Sequence, residues 1–235
     1  VDVEPHIAGF PYRSFQPYPE LGILLYMHEG SDGRTLRSLP LDQLPNLDAG
    51  RPLNAIDWTK RSFRGSEPLP KEKAILFVGD EDNREEYDLY KLFLEDGRVQ
   101  KVTSVPYVYG FGVDARHDRA AYVARYPIPD TTTYRSCLEL LPLPTGAATQ
   151  VVCDDAPAFG PVRFTWTGVS FSPDGVWAYV DGNLASDRKR SQLLRVRLAD
   201  GAMERLTDDA PRSTAGTVDE WLDADRYAYY EDAGG

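Results

Sequence analysis

The stretch "VSFSPDGVWAYV", Val169–Val180, carries the pattern that decides the fold. Its centre, "FSPDG" at 171–175, suits a type I turn, because serine is favoured at the first position, proline sets φ at the second and glycine suits the fourth. Apolar residues alternate before the turn, and Trp177 and Tyr179 alternate after it. The stretch therefore predicts two short strands joined by a tight turn.

The strand after this turn recurs along the chain, and each copy has an aromatic residue at the same place. These aromatic residues are Tyr26, Phe77, Tyr122, Tyr179 and Tyr229, separated by 51, 45, 57 and 50 residues. A second hairpin recurs as well. "YDLYKLFLEDGRVQKVT" (Tyr87–Thr103) matches "SQLLRVRLADGAMERLT" (Ser191–Thr207) in its alternation, its Asp-Gly turn and its closing threonine. We infer that one module of two hairpins was copied along the chain.

Four antiparallel strands at this period are typical of a propeller blade. The sequence predicts an all-β chain, a β-propeller with four four-stranded antiparallel blades and the start of a fifth, so that the propeller is incomplete. The approximate blade bounds are 15–57, 58–104, 105–154 and 160–208, and the next blade starts within 217–235. A β-sandwich is the alternative fold, and the recurrence of residue type, position and order argues against it.

The composition narrows the class of partner. The chain has 235 residues, of which 42% are hydrophobic, and a net charge of -11. This charge disfavours nucleic acid and anionic membranes, which attract clustered Lys and Arg. No apolar run approaches the roughly 18 residues of a membrane-spanning helix, and residues 1–10 lack the pattern of a signal peptide. We therefore expect no nucleic acid or membrane as partner, and a cytoplasmic location.

The sequence lacks motifs for catalysis and for cofactor binding. It contains no Gly-x-Ser-x-Gly elbow, and the spacing of His6, His28 and His117 indicates no catalytic triad. "GFGVDA" at 110–115 formally fits a dinucleotide fingerprint, but a strand follows it where that site needs a helix. No zinc-binding spacing of Cys or His occurs. The sequence therefore predicts no catalytic residue, metal or cofactor in this chain.

The densest charge cluster is "GDEDNREEYD", Gly79–Asp88, which joins the second and third strands of the second blade. It lacks the glycine bend and terminal glutamate of an EF-hand loop. Arg84, Glu85 and Glu86 are candidates for contacting the charged end of a peptide, and a solvated hairpin loop is the alternative. Strand alternation predicts that this loop shares a propeller face, a possible contact surface, with equivalent positions in other blades. Those positions are His28–Glu29, Ala124–Arg125 and Asn183.

The two cysteines lie almost symmetrically about a predicted turn. Cys137 and Cys153 flank Thr145–Gly146, so a regular antiparallel pair would bring them opposite or nearly opposite each other. Paired Cβ atoms are then about 4.5–5.5 Å apart, slightly long for a disulfide but within reach of one. Two alternatives stay open: a disulfide, or two reduced thiols in a cytosolic protein.

The repeated pattern resembles the propellers of the prolyl oligopeptidase family of serine peptidases, and it is also similar to TolB-type propeller repeats. The resemblance covers nearly the whole chain. "SFSPDGVWAYVDGN" (170–183) and "ILFVGDEDNREEYDLYKLFLEDG" (75–97) look more like the dipeptidyl- and acylaminoacyl-peptidase relatives than a bare TolB repeat.

The resemblance implies a function. In that family an α/β-hydrolase domain follows the propeller and carries the Ser, Asp and His, and the propeller restricts entry to short peptides. Some members hold a peptide's amino end with paired glutamates, and Glu85–Glu86 is the one adjacent glutamate pair here. This chain lacks the hydrolase domain, so we expect a substrate-gating region that is not catalytic alone.

The expected partners of such a region are the parent chain's hydrolase domain and a peptide substrate. The alternative function is a non-catalytic TolB-like propeller that binds a protein partner. The early stop of the repeat indicates a fragment of a longer protein. Open blade faces would also favour self-association.

Overall fold

The computed structural model describes residues 12–30, 33–53, 64–80, 86–144, 146–165, 168–184, 187–207, 218–221 and 227–229. The chain divides into two compact units. The first unit consists of Val1–Glu85 and Leu89–Val102, and the second consists of Glu86–Asp88 and Thr103–Gly235.

The first unit contains two four-stranded antiparallel sheets whose strands pair in chain order. The strands of the first sheet are β1 (Tyr12–Tyr18), β2 (Ile23–Gly30), β3 (Gly33–Pro40) and β4 (Arg51–Pro52). Those of the second sheet are β5 (Arg64–Leu69), β6 (Ala74–Gly79), β7 (Asp88–Phe93) and β8 (Val99–Lys101), with the first residue of β7 counted in the second unit.

The second unit contains two further sheets of the same kind and the beginning of another. The third sheet has β9 (Val108–Val113), β10 (Arg119–Pro127), β11 (Tyr134–Pro142) and β12 (Thr149–Cys153). The fourth has β13 (Val162–Phe164), β14 (Ser170–Phe171), β15 (Trp177–Leu184), β16 (Asp187–Arg197) and β17 (Met203–Arg205). The last pair is β18 (Val218–Trp221) with β19 (Tyr227–Tyr229).

This arrangement confirms the predicted fold class. The chain is all-β, and it forms four four-stranded antiparallel blades and the start of a fifth. One detail differs from the expected blade, because β13 and β14 both pair with β15 and together form one interrupted inner strand. Within the described ranges, helical structure is limited to short 3-10 segments, and no helix there is long and apolar enough to cross a membrane.

The turn at 171–175 has the geometry that its sequence predicts. Gly175 has φ +70°, and its N–H donates to the Ser172 carbonyl at 2.8 Å. The Ser172 hydroxyl donates to Asp174 Oδ1 at 2.5 Å and accepts from the Trp177 N–H at 2.9 Å. The turn therefore supplies its own hydrogen bonds and starts β15 at a fixed residue.

Arg119, the first residue of β10, ties the third sheet to this turn of the fourth. Its Nη2 donates to the Gly175 carbonyl at 3.0 Å, and its Nε donates to Asp114 Oδ2 at 3.1 Å. Asp114 is buried and also accepts from the Asp118 N–H. One guanidinium thus connects the inner turns of two neighbouring blades.

The core of the second unit lies between its third and fourth sheets. Val123 and Leu138 of the third sheet belong to one cluster of buried side chains with Phe164 and Val180 of the fourth. Gly112 of β9 lies against the fourth sheet so closely that an added Cβ would be 1.7 Å from the Val169 carbonyl oxygen. Gly112 of "GFGVDA" therefore lies on a strand that packs closely against the segment before β14.

In the first unit, one core cluster draws side chains from both sheets, including Leu25, Leu36 and Phe77. Phe77 stacks on Tyr90 with ring centroids 5.6 Å apart. Tyr26 belongs to a separate cluster with Leu47, and its hydroxyl donates to the Leu47 carbonyl. The recurrent aromatic position is thus a core position in this unit.

Candidate functional site

The charged loop picked out in the sequence is described only at its end. Arg84 and Glu85 lie outside the described residues, so their role as peptide contacts remains a prediction. Glu86 is exposed, and the next residue, Tyr87, is buried. Glu86 therefore adjoins a buried aromatic residue of the second unit. The candidate functional site is described around these two residues.

Buried polar side chains fix the backbone around this place. Asp88 Oδ1 accepts from the Thr103 hydroxyl at 2.9 Å and from the Val105 N–H at 3.0 Å. The Tyr87 carbonyl accepts from the Val108 N–H at 2.7 Å. The closing threonine of the repeat thus has a structural role, and the segment that leads into β9 is held against residues 87–88.

Four tyrosines and one arginine meet at the end of the third sheet where β9 begins and β10 ends. We call them the tyrosine cluster: Tyr87, Tyr107, Tyr109, Arg125 and Tyr134. The Tyr87 and Tyr107 rings meet edge to face with centroids 5.0 Å apart, and Tyr107 meets Tyr109 in the same way at 5.4 Å. The Arg125 guanidinium carbon lies 3.6 Å from the Tyr134 ring centroid. Edge-to-face and cation–π contacts of this kind are favourable and orient the rings.

The phenol of Tyr109 stays neutral at physiological pH. Burial raises its pKa, and the nearby Arg125 and the hydrogen bonds to Ser136 and Arg125 only partly oppose this rise. Ser136 is the register partner of Arg125, and its N–H donates to buried Asp154 at 2.9 Å. The strand residue that pairs with Arg125 is therefore held by a hydrogen bond to a buried carboxylate.

The cluster combines a rigid base with an accessible rim. Tyr134 is 50% exposed, whereas Tyr107, Tyr109 and Arg125 are half-buried. Tyrosine and arginine dominate the energetic centres of protein interfaces, because they offer large contact area and polar tips. The surface can stack an apolar group against its rings and pair an anion with its guanidinium.

The opposite face of the third sheet contains a buried carboxylate. Glu139 accepts from the Tyr122 hydroxyl at 2.5 Å and from the Tyr126 hydroxyl. Burial and the hydrogen bonds to Glu139 raise the pKa of both phenols far above its ordinary range. This group satisfies its own hydrogen bonds inside the sheet, so we assign it a structural role.

The remaining residues selected from the sequence lie elsewhere. Cys137 and Cys153 are register partners on β11 and β12 and are joined by a disulfide. His117 lies in the turn between β9 and β10, His28 lies on β2, and His6 is outside the described residues. In the part of the chain that the structure describes, no three His, Cys, Asp or Glu side chains form a group that could hold a metal.

Sequence reasoning placed Arg125 at a loop end that faces a possible contact surface, but it missed the four tyrosines. They come from three separate segments, and nothing local marks them as neighbours. The available signals were the abundance of tyrosine, 14 in the chain, and the alternation of Tyr107 and Tyr109 at the start of a predicted strand.

No protein-family model and no curated protein matches this chain. Solved structures do match. A putative TolB from Agrobacterium tumefaciens is 21% identical over 86% of this chain and 64% of its own, with a TM-score of 0.58. A prolyl endopeptidase, from a structural and mechanistic study of two such enzymes, is 12% identical over 88% of this chain and 31% of its own, with a TM-score of 0.62.

TolB from Acinetobacter baumannii is also similar, with 15% identity over 84% of this chain, 43% of its own and a TM-score of 0.53. At these identities the likeness shows the fold alone. It confirms the resemblance seen in the sequence to both peptidase propellers and TolB propellers. The chain spans less than two thirds of each of these three proteins.

Proposed function

We propose that this chain is the substrate-gating propeller region of a serine peptidase that acts on short peptides. The single observation that carries this proposal is the tyrosine cluster, a preorganised aromatic surface that has an accessible rim and includes the guanidinium of Arg125. The fold likeness to a prolyl endopeptidase over 88% of the chain supports it. In this function the propeller binds and selects peptides, and a hydrolase domain of the parent protein cleaves them.

A reactive-serine assay on the full-length gene product tests this function. The product is treated with a fluorophosphonate probe and, separately, with short peptides and with a folded protein as substrates. We expect labelling of one serine outside residues 1–235 and cleavage of the short peptides only. Heat-denatured protein is the control. A full-length product without a labelled serine would contradict the proposal.

Glu85 and Glu86 keep their place in this proposal as contacts for a peptide's amino end. Glu86 is exposed and adjoins Tyr87 of the cluster, which agrees with such a role. In the full-length peptidase, Glu86→Gln should raise KM for peptides with a free amino end. It should leave KM unchanged for peptides with an acetylated end.

A second candidate function is a non-catalytic TolB-like propeller that binds a protein partner. The 21% identity to the Agrobacterium protein, and the 64% of that protein covered, favour it. Cross-linking in native cells would then yield one stoichiometric protein partner. That partner should be lost with Tyr134→Ala and retained with Arg98→Met, an arginine that stacks on Phe93 at 3.9 Å in the first unit.

Location and assembly belong to the same proposal. The sequence predicts the cytoplasm, whereas disulfides persist mainly in oxidising compartments, and Cys137 and Cys153 are bonded. Thiol labelling of protein quenched directly in acid from native cells distinguishes the cytoplasm from an oxidising compartment. Labelled thiols indicate the cytoplasm, and a protected, bonded pair indicates an oxidising compartment. Self-association through uncovered blade faces is tested by light scattering over a wide range of concentrations, where a constant monomer mass would exclude it.

A further inference from the structure

We propose that the tyrosine cluster binds the C-terminal carboxylate of a peptide, with the carboxylate on Arg125 and the last side chain against Tyr107 and Tyr134. This inference deepens the proposed function and rests on it, because it names the end of the peptide that the propeller selects.

Arg125 differs from six other arginines of the described segments in what surrounds its side chain. Arg34, Arg98, Arg119, Arg135, Arg195 and Arg197 each have a carboxylate within salt-bridge distance. Among the residues that the structure describes, the guanidinium of Arg125 instead lies over the Tyr134 ring, with its Cζ 3.6 Å from the ring centroid. In a chain with a net charge of -11, this guanidinium has an aromatic neighbour where those six arginines have anions. Arg51, Arg163 and Arg205 donate to backbone carbonyls instead.

A guanidinium stacked on a ring still has N–H donors that a carboxylate can accept from. A guanidinium presents five N–H donors in its plane, and the Arg125 Cζ lies 3.6 Å over the Tyr134 ring. The planar edge of arginine matches the two oxygens of a carboxylate in a bidentate pair. Burial raises the pKa of the Tyr109 phenol, and the charge of the nearby Arg125 partly opposes this rise.

Asp154 and Asp155, which follow β12, have partners of their own. Asp154 is buried and accepts from the backbone N–H groups of Ser136 and Phe164. Asp155 lies 3.7 Å from Arg135. The site therefore offers one positive group for an anion that comes from outside the chain.

The apolar half of the ligand follows from the rings. Tyr134 is half-exposed and Tyr107 is partly exposed, so a side chain next to the carboxylate can bury area against both. Aromatic and large aliphatic side chains gain most from such contact. We therefore expect a preference for a large apolar residue at the C-terminus of the peptide.

The experiment measures fluorescence anisotropy of the purified 235-residue chain with fluorescein-labelled tetrapeptides of the form Gly-Ser-Gly-X, one for each amino acid at X. Every peptide is made twice, with a free C-terminal carboxylate and with a C-terminal amide. We expect binding of the free acids with large apolar X, and about 10- to 100-fold weaker binding of their amides, because a hydrogen-bonded charge is lost.

Two variants assign the effect to this site. Arg125→Met keeps most of the side-chain stem and should bring the acid down to the affinity of the amide. Arg98→Met, which removes another arginine stacked on a ring, should leave both affinities unchanged. Because the acid–amide comparison needs no substitution, a variant that fails to fold does not affect it.

Equal binding of acid and amide to the wild-type chain, or binding of none of the peptides, would overturn the inference. So would an acid–amide difference that survives Arg125→Met. These results are separate from the reactive-serine assay. A labelled serine without carboxylate selectivity removes this inference alone, and carboxylate selectivity without a labelled serine removes only the peptidase function.

Discussion

Removing one partner of the buried Lys91–Glu72 pair should cost more stability than removing both. Lys91 Nζ lies 2.9 and 2.8 Å from the two Glu72 carboxylate oxygens. The Lys91 side chain is 3% exposed and that of Glu72 is 16% exposed. Removing one partner of a buried ion pair costs about 3–5 kcal/mol. Because Lys91 is the more buried partner, Glu72→Gln should cost about 4 kcal/mol and Lys91→Met about 3 kcal/mol.

The double variant Lys91→Met with Glu72→Leu tests the cause of these losses. It removes both charges of this pair, and apolar replacement of a buried pair is often neutral or stabilising. We expect its free energy of unfolding to lie within about 1 kcal/mol of the wild-type value. The exposed pair Arg34–Glu29 supplies a control, since Arg34→Met should cost less than about 1 kcal/mol.

Urea unfolding followed by far-UV circular dichroism gives the free energies, and native-state hydrogen exchange of β7 locates the change in the second sheet. The single losses should persist at high salt, because buried charges are poorly screened. If each single substitution costs less than about 1 kcal/mol, or if the double loss equals the sum of the single losses, the reasoning is wrong.

Three further outcomes follow from the described contacts. Arg119→Met should cost about 2 kcal/mol in urea unfolding, because a charged donor to the Gly175 carbonyl is lost; an unchanged midpoint would contradict this. Reduction of Cys137–Cys153, which closes a loop with a sequence separation of 16, should cost about 3 kcal/mol when the midpoint is compared with and without dithiothreitol. Burial raises the pKa of Tyr18 from 10.0 to about 12, so the folded chain keeps this proton longer, and stability should fall as the pH rises from 10.0 towards 12, less so in Tyr18→Phe.

The fold was predictable because the repeat records it. In three of the sheets the aromatic residue of the second strand lies opposite a charged residue of the third: Tyr26 faces Arg37, Tyr122 faces Glu139 and Tyr179 faces Arg195. A one-residue slip would turn every side chain to the wrong face, so the alternation and the Asp-Gly turns together specify the register. The division of the inner strand into β13 and β14 has no comparable signal in the sequence, because a strand interruption depends on packing against neighbouring elements.

The candidate site was far less predictable. Arg84, Glu85 and Glu86 attracted attention because they are adjacent in the sequence, where charge density is visible. The tyrosine cluster draws Tyr87 from the end of a loop and Tyr134 from the start of another strand. Their proximity depends on the pairing of β9, β10 and β11 and on the hydrogen bonds of Asp88, which local periodicity does not encode.

The alternation of β10 explains how one sheet holds a carboxylate and a guanidinium that do not neutralise each other. Tyr122 and Tyr126 lie on the face that contains Glu139, and both hydroxyls donate to it. Arg125 lies between them in the sequence, so its side chain projects from the other face, where it meets Tyr134. The phenols satisfy Glu139 and the pleat separates it from Arg125, and the positive charge of Arg125 is therefore left for a ligand.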